Sequence, residues 1–257
     1  MDLDDAYANA AHIPGADAYP KKWAQAAADF RNKQLCECDL PYGDAVRQRF
    51  DLFHPNRLAK GLIVFVHGGY WLRFDKSYWS HLAAGPLAHG WAVAMPSYDL
   101  CPEVRIKQIG AQIATAISAA AMRVPGPICL AGHSAGGQLV ARVIAQPSMA
   151  RWHDRVARVV PISPVADLAP LMQTSMNAQL QIDLSEAQTE SPVNLPSPST
   201  PVTVWVGSEE RPAFLQQAQV LSDAWGCEQV IASNKHHFNV VEDLINPDSA
   251  LTRRLVE

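Results

Sequence analysis

Short, continuous apolar runs alternate along the chain with longer amphipathic stretches, and Gly or Pro marks many of the joints. Residues 62–66 read LIVFV, apolar throughout and rich in branched side chains, as in a strand buried on both faces. Similar runs recur at 91–98 (WAVAMPSY), 128–134 (ICLAGHS), 157–163 (ARVVPIS), 201–207 (PVTVWVG) and 228–233 (EQVIAS). Between them the spacing becomes helical. Ile106, Ile109, Ile113 and Ile117 share one face of a helix predicted over about 102–123, which Pro125-Gly126-Pro127 stops. Further helices are predicted over about 76–89, 135–146 and 212–225, and from about Asn239 onward.

Ahead of this series, CECDL and VRQRFDLFHP flank the turn residues Pro41-Tyr42-Gly43-Asp44, which reads as an antiparallel hairpin. Residues 1–34 are polar and helical in pattern, broken at Pro14-Gly15 and Pro20, and are expected to form an arm packed on the domain. The strand–helix rhythm implies an α/β fold, a mostly parallel sheet of eight strands with helices on both faces. With no repeat or low-complexity linker, residues 1–257 read as a single domain. Residues 164–200 interrupt the rhythm with many Pro, Ser, Gln and Asn residues. They form either a cap or lid insertion over a site or a long surface excursion.

Composition narrows the function classes. Apolar residues make up 48% and charged residues 18% of the chain, and the net charge is −4. The absence of a Lys/Arg stripe argues against nucleic acid. No apolar run nears the roughly 20 residues that cross a bilayer, so no membrane partner is expected. The acidic start MDLDDAYANAAH lacks the features of a secretion signal, which implies a cytoplasmic protein. Its five cysteines, an odd number, then read as reduced and structural. Cys36 and Cys38 have no second ligand pair at zinc-like spacing, so neither a metal nor an organic cofactor is expected. The expected partner is a small-molecule substrate, and the oligomeric state stays open, a homodimer included.

The candidate chemistry lies where predicted strands end. Gly132-His133-Ser134-Ala135-Gly136 fits G-x-S-x-G, between a predicted strand and a predicted helix. Such a pattern arises by chance, but this context is the one a nucleophilic serine needs: a sharp turn at the carboxyl end of the sheet and a helix N-terminus behind it. The alternative is a glycine-rich turn with a capping serine. His67-Gly68-Gly69-Tyr70-Trp71 follows the LIVFV run. Backbone N–H groups of Gly68, Gly69, Tyr70 and Ala135 are the candidate oxyanion donors, each worth on the order of 3 kcal/mol to a tetrahedral intermediate. His67 is expected to brace that loop, and Tyr70 and Trp71 either wall a substrate or pack. The order of an α/β-hydrolase fold then requires an acid and, later, a histidine. Glu209 or Glu210 follows PVTVWVG, and His236 or His237 follows EQVIAS. Spacing alone does not choose within either pair.

Four segments together resemble the kynurenine formamidase (arylformamidase) family and its bacterial esterase relatives. HGGYW at 67–71 looks like the H-G-G-x-W signature, and GHSAGGQL at 132–139 like the nucleophile elbow. VGSEERPAF at 206–214 is similar to the acid loop, and HFNVVEDL at 237–244 to the histidine segment. The likeness extends to YGDAVRQRFDLFHP at 42–55. It implies a serine hydrolase with Ser134 as nucleophile, Glu210 as acid and His237 as base, cleaving N-formylkynurenine. Glu210 departs from the Asp of the animal pattern, and Ala213 replaces an acidic residue. Two other readings are a carboxylesterase of small or aryl esters with the same triad and, in a different class, an inactive binding module on this fold. A metal-dependent amidase lacks clustered His/Asp ligands.

Overall fold

The computed structural model describes residues 2–146 and 150–257. Eight strands form one sheet: β1 Cys36–Pro41, β2 Arg49–Phe53, β3 Leu62–Val66, β4 Ala92–Pro96, β5 Ile128–His133, β6 Val156–Ile162, β7 Thr203–Gly207 and β8 Glu228–Ala232. Their order is β1-β2-β4-β3-β5-β6-β7-β8. The hairpin strands β1 and β2 are antiparallel to each other, and β2 is antiparallel to β4. The pairings from β4 through β8 are parallel. This is the α/β-hydrolase arrangement expected from the strand–helix rhythm. The central strands β3, β4, β5 and β7 are buried at every position, which explains their unbroken apolar runs.

The helices are α1 Leu3–Tyr7, α2 Tyr19–Arg31, α3 Ala84–Ala88, α4 Ile106–Arg123, α5 Ala135–Ala145, α6 Asn177–Leu180, α7 Leu184–Glu190, α8 Pro212–Trp225 and α9 Ala250–Val256. Three expectations change. The helix predicted over 76–89 is two 3₁₀ turns followed by the short α3. Helix α4 begins at Ile106 rather than Pro102, because the preceding turn is tied elsewhere: the Cys101 N–H donates to the Trp71 carbonyl at 2.8 Å. The last helix divides into a 3₁₀ segment, Val240–Ile245, and α9. Among the described residues no helix is long and apolar enough to cross a membrane.

Two apolar layers sandwich the sheet. One gathers α4, α5 and α8 around Leu130, Leu139 and Phe214. The other places Trp23 of α2, Trp79 and the C-terminal segments on Ile63, Phe65 and Val160. A buried polar chain joins the 164–200 segment to the first layer. Trp71 Nε1 donates to Gln138 Oε1 (3.2 Å), Gln138 Nε2 donates to the Glu190 carbonyl (2.7 Å), and Arg142 Nε donates to Glu190 Oε2 (2.6 Å). Removing one partner of such a buried pair strands a charge, at about 3–5 kcal/mol. Arg142→Met is therefore expected to lower unfolding stability in urea by about that amount. Adding Glu190→Gln to it should recover part of the loss. A loss of only a few tenths of a kcal/mol would show that Glu190 finds another partner.

Candidate active site

Ser134 stands between β5 and α5 with φ 57° and ψ −117°, backbone angles that a non-glycine residue rarely adopts. Two hydrogen bonds brace this geometry. Its N–H donates to the Ile162 carbonyl at 2.8 Å, and its carbonyl accepts from the Gln138 N–H at 3.1 Å. Gly132 and Gly136 flank the turn because the backbone leaves no room for a side chain: a Cβ on Gly136 would lie 2.0 Å from the Val66 carbonyl oxygen.

His237 and Glu210 form a buried pair beside this elbow. His237 Nδ1 lies 2.6 Å from Glu210 Oε2, and both residues are less than a tenth exposed. The other carboxylate oxygen, Oε1, accepts from the Gly207 N–H at 3.0 Å and from the Ser163 hydroxyl. Acid loop and histidine loop run against each other there. A Cβ on Gly207 would meet the Lys235 carbonyl oxygen at 2.2 Å, and the Glu209 N–H donates to that carbonyl at 2.9 Å. The Glu209 side chain points to solvent. His236 is half-buried; its Nε2 lies 3.2 Å from the Tyr19 hydroxyl, and its Nδ1 accepts from the Phe238 N–H. Of each ambiguous pair, the structure brings Glu210 and His237 together and leaves Glu209 and His236 outside.

Two further residues hold this pair, and the sequence reading missed both roles. His133 is fully buried, and desolvation, reinforced by the nearby His237, pushes its imidazole well below the usual histidine range. It is therefore neutral at physiological pH. Its Nε2–H donates to the His237 carbonyl at 2.8 Å, and the two rings lie 4.7 Å apart. Ser163 follows β6 in a left-handed conformation (φ 48°), with its N–H on the Trp205 carbonyl. The available signal was position: Ser163 follows a strand adjacent to the acid's strand, where the sequence reading considered only Asp167. Phe214 of α8 packs on the His237 ring at 4.3 Å.

The 67–71 loop lies over the elbow. A Cβ on Gly68 would sit 3.0 Å from the Ser134 Cβ, so the main chain passes directly beside this serine. Gly69, Tyr70 and Trp71 all take positive φ (111°, 53° and 57°), curling the loop back on itself. Among the described residues none accepts a backbone hydrogen bond from the N–H groups of Gly68, Gly69, Tyr70 or Ala135. His67 holds the loop from beneath: Nδ1 reaches the Gly68 carbonyl (2.7 Å), and its ring stacks on Tyr98 at 4.3 Å. Burial lowers its pKa to about 4, which leaves it neutral and suited to bracing. Trp71 does not form the aromatic wall suggested beside Tyr70. It is completely buried, because its indole N–H is drawn inward to Gln138, and it is absent from the cavity lining.

Ser134 and His237 open into one cavity of about 690 Å³, with Gly68, Gly69 and Tyr70 in its wall. The N-terminal arm supplies much of the rest, from Tyr7 to Ala11 and at Ala16, Asp17, Pro20 and Trp23. The 164–200 segment adds only Ser175, Met176 and Gln179. The arm is anchored by Arg211 Nη2 to Asp5 Oδ2 (2.6 Å), Gln217 Nε2 to the Tyr7 hydroxyl (2.8 Å) and the Tyr70 hydroxyl to the Tyr7 carbonyl (2.8 Å). Among the described residues no group of three or more His, Cys, Asp or Glu side chains is placed to hold a metal ion.

Comparisons with known proteins agree with the fold. Residues 63–195 match the family described as alpha/beta hydrolase fold. Kynurenine formamidase of Salmo salar is 27% identical over 239 residues, covering 85% of this chain and 80% of that protein. Kynurenine formamidase of Drosophila melanogaster is 29% identical over 239 residues, covering 84% and 79%. The crystal structure of a Silicibacter sp. TM1040 protein, provisionally described as a thioesterase, is 54% identical over the full length of both chains, with a TM-score of 0.97. The chain belongs to the alpha/beta hydrolase fold family, and within it is kynurenine formamidase-like.

Proposed function

We propose that this protein is a serine hydrolase that cleaves a small aryl formamide, of the N-formylkynurenine type, by acyl transfer. The observation that carries this reading is the buried Glu210–His237 pair, whose histidine lines the same cavity as Ser134 on its strained turn. Ser134 Oγ attacks the formyl carbonyl while His237 Nε2 takes its proton. Glu210 holds the Nδ1–H tautomer of His237 and stabilises the imidazolium. The resulting oxyanion is met by the unengaged N–H groups of Gly68, Gly69, Tyr70 and Ala135. His237 returns the proton to the leaving nitrogen, releasing the arylamine and a formyl-enzyme. Water, deprotonated by His237, then hydrolyses that ester to formate and free Ser134. The formamidase names of the relatives support the leaving group, and a cavity of about 690 Å³ has room for one aromatic ring with a side arm.

A second reading, thioester or aryl ester hydrolysis, uses the same groups, and the provisional description of the Silicibacter relative favours it. A panel of N-formylkynurenine, p-nitrophenyl acetate and a short acyl thioester separates the two. Formamide cleavage with the highest kcat/KM supports the proposal; turnover of the esters alone would replace it with the second reading.

The roles of the triad are tested residue by residue. Ser134→Ala should abolish labelling by a fluorophosphonate probe and cut kcat by at least about 10⁴-fold. Persistent labelling in this variant would move the nucleophile elsewhere. Glu210→Gln, which keeps the shape but not the charge, should lower kcat by roughly 10³–10⁴-fold. Glu209→Gln should leave kcat close to wild type, and the reverse ranking would reassign the acid.

A further inference from the structure

Cys36 and Cys38 sit on β1, the outermost strand of the sheet, and neither lines the cavity that holds Ser134. In a regular strand the side chains of residues two apart share a face but are spaced by roughly 6.5 Å. Here the two Sγ atoms are 3.1 Å apart. The cause is a bulge. The register with β2 runs from Glu37↔Leu52 to Leu40↔Phe50, so β1 carries an extra residue between these pairs. Asp39 takes the bend at φ 57°. Its N–H donates to Asp51 Oδ1 at 2.9 Å. Lys76 Nζ lies 2.7 Å from Asp39 Oδ1 and 2.7 Å from Asp51 Oδ1. Asp51 and Lys76 are both buried, so the bend is pinned from inside the protein and the two sulfurs are kept together.

We propose that Cys36 and Cys38 form a reversible redox site that closes to a disulfide by exchange with a low-molecular-weight disulfide of the glutathione type. This goes beyond the acyl-transfer reading and does not depend on it. The two thiols differ in their surroundings: Cys38 is exposed and Cys36 is half-buried. Burial, and then the adjacent Cys38 sulfur, pushes the Cys36 thiol up, so Cys36 keeps its proton and directs it at Cys38. Cys38, the accessible sulfur, attacks first as its thiolate. One sulfur of the incoming disulfide RSSR bonds to Cys38, and the other leaves as RS⁻. Cys36 then gives up its proton, attacks the Cys38 sulfur and expels the second RS⁻. The protein loses two hydrogens and is oxidised; RSSR is reduced to two RSH, which carry the two thiol protons. Cys101 and Cys129 are buried and stay out of this exchange.

The folded full chain is incubated with oxidised glutathione and read by intact mass and peptide mapping. Wild type should lose two hydrogens, with residues 36 and 38 linked to each other and the link undone by dithiothreitol. Cys36→Ser removes the resolving thiol. It should therefore keep glutathione on Cys38, at least about tenfold more than wild type holds there, because the neighbouring thiol no longer displaces it. Cys38→Ser should leave Cys36 largely unmodified over the same time. The wild-type result is decisive by itself, so a variant that misfolds does not blunt the test. A folded wild type that retains glutathione on Cys38, or that leaves both thiols free, overturns the proposal and leaves the hydrolase reading untouched.

Discussion

A Cβ on Gly136 would lie 2.0 Å from the Val66 carbonyl oxygen, and one on Gly132 would lie 2.1 Å from the carbonyl oxygen of Gly136. This backbone-on-backbone contact sets the position of everything around it. It lets α5 start hard against the end of β3, so the loop that leaves β3 passes beside the serine that starts α5. The strained angles of Ser134 follow from the same closeness, since the chain must reverse within one residue. Burial then makes the arrangement rigid. Strands β3 and β5 are buried at every position, and their register leaves little freedom to slide.

Around that contact, neutral and charged groups divide the work. His67 and His133 are both buried and held neutral, so each acts as a fixed hydrogen-bond strut, one under the glycine loop and one under the His237 backbone. The carboxyl group beside the elbow is that of Glu210, whose two oxygens have three partners. A carboxylate satisfied in this way tolerates burial and presents a single lone-pair direction to the imidazole. The extra length of a glutamate is taken up by folding its carboxylate back onto the Gly207 N–H of its own turn.

Much of this was legible in the sequence because the loops that matter each follow an apolar run. Ser134, the 68–70 glycine loop and the late acid and histidine could be placed from strand endings alone. The choice of Glu210 and His237 needed either the family resemblance or the geometry, since adjacent identical residues have no distinguishing pattern. Trp71 stayed open between wall and packing because an aromatic residue beside a site reads the same whether it faces in or out; its indole hydrogen bond to Gln138 turns it inward. Ser163 gave no local signal: its hydroxyl reaches Glu210, 47 residues away, and no periodicity encodes such a pairing.

The arm's anchors link the two ends of the chain in an order that matters during synthesis. Tyr7 leaves the ribosome early, yet its hydroxyl pairs with Gln217 and its ring packs on Phe214. Asp5 likewise waits for Arg211. Until residues 211–217 have been made, the arm lacks these fastenings, and a nascent chain with its elbow already formed would still hold an open, water-filled cleft. The arm is thus made before the residues that fasten it and fitted after them.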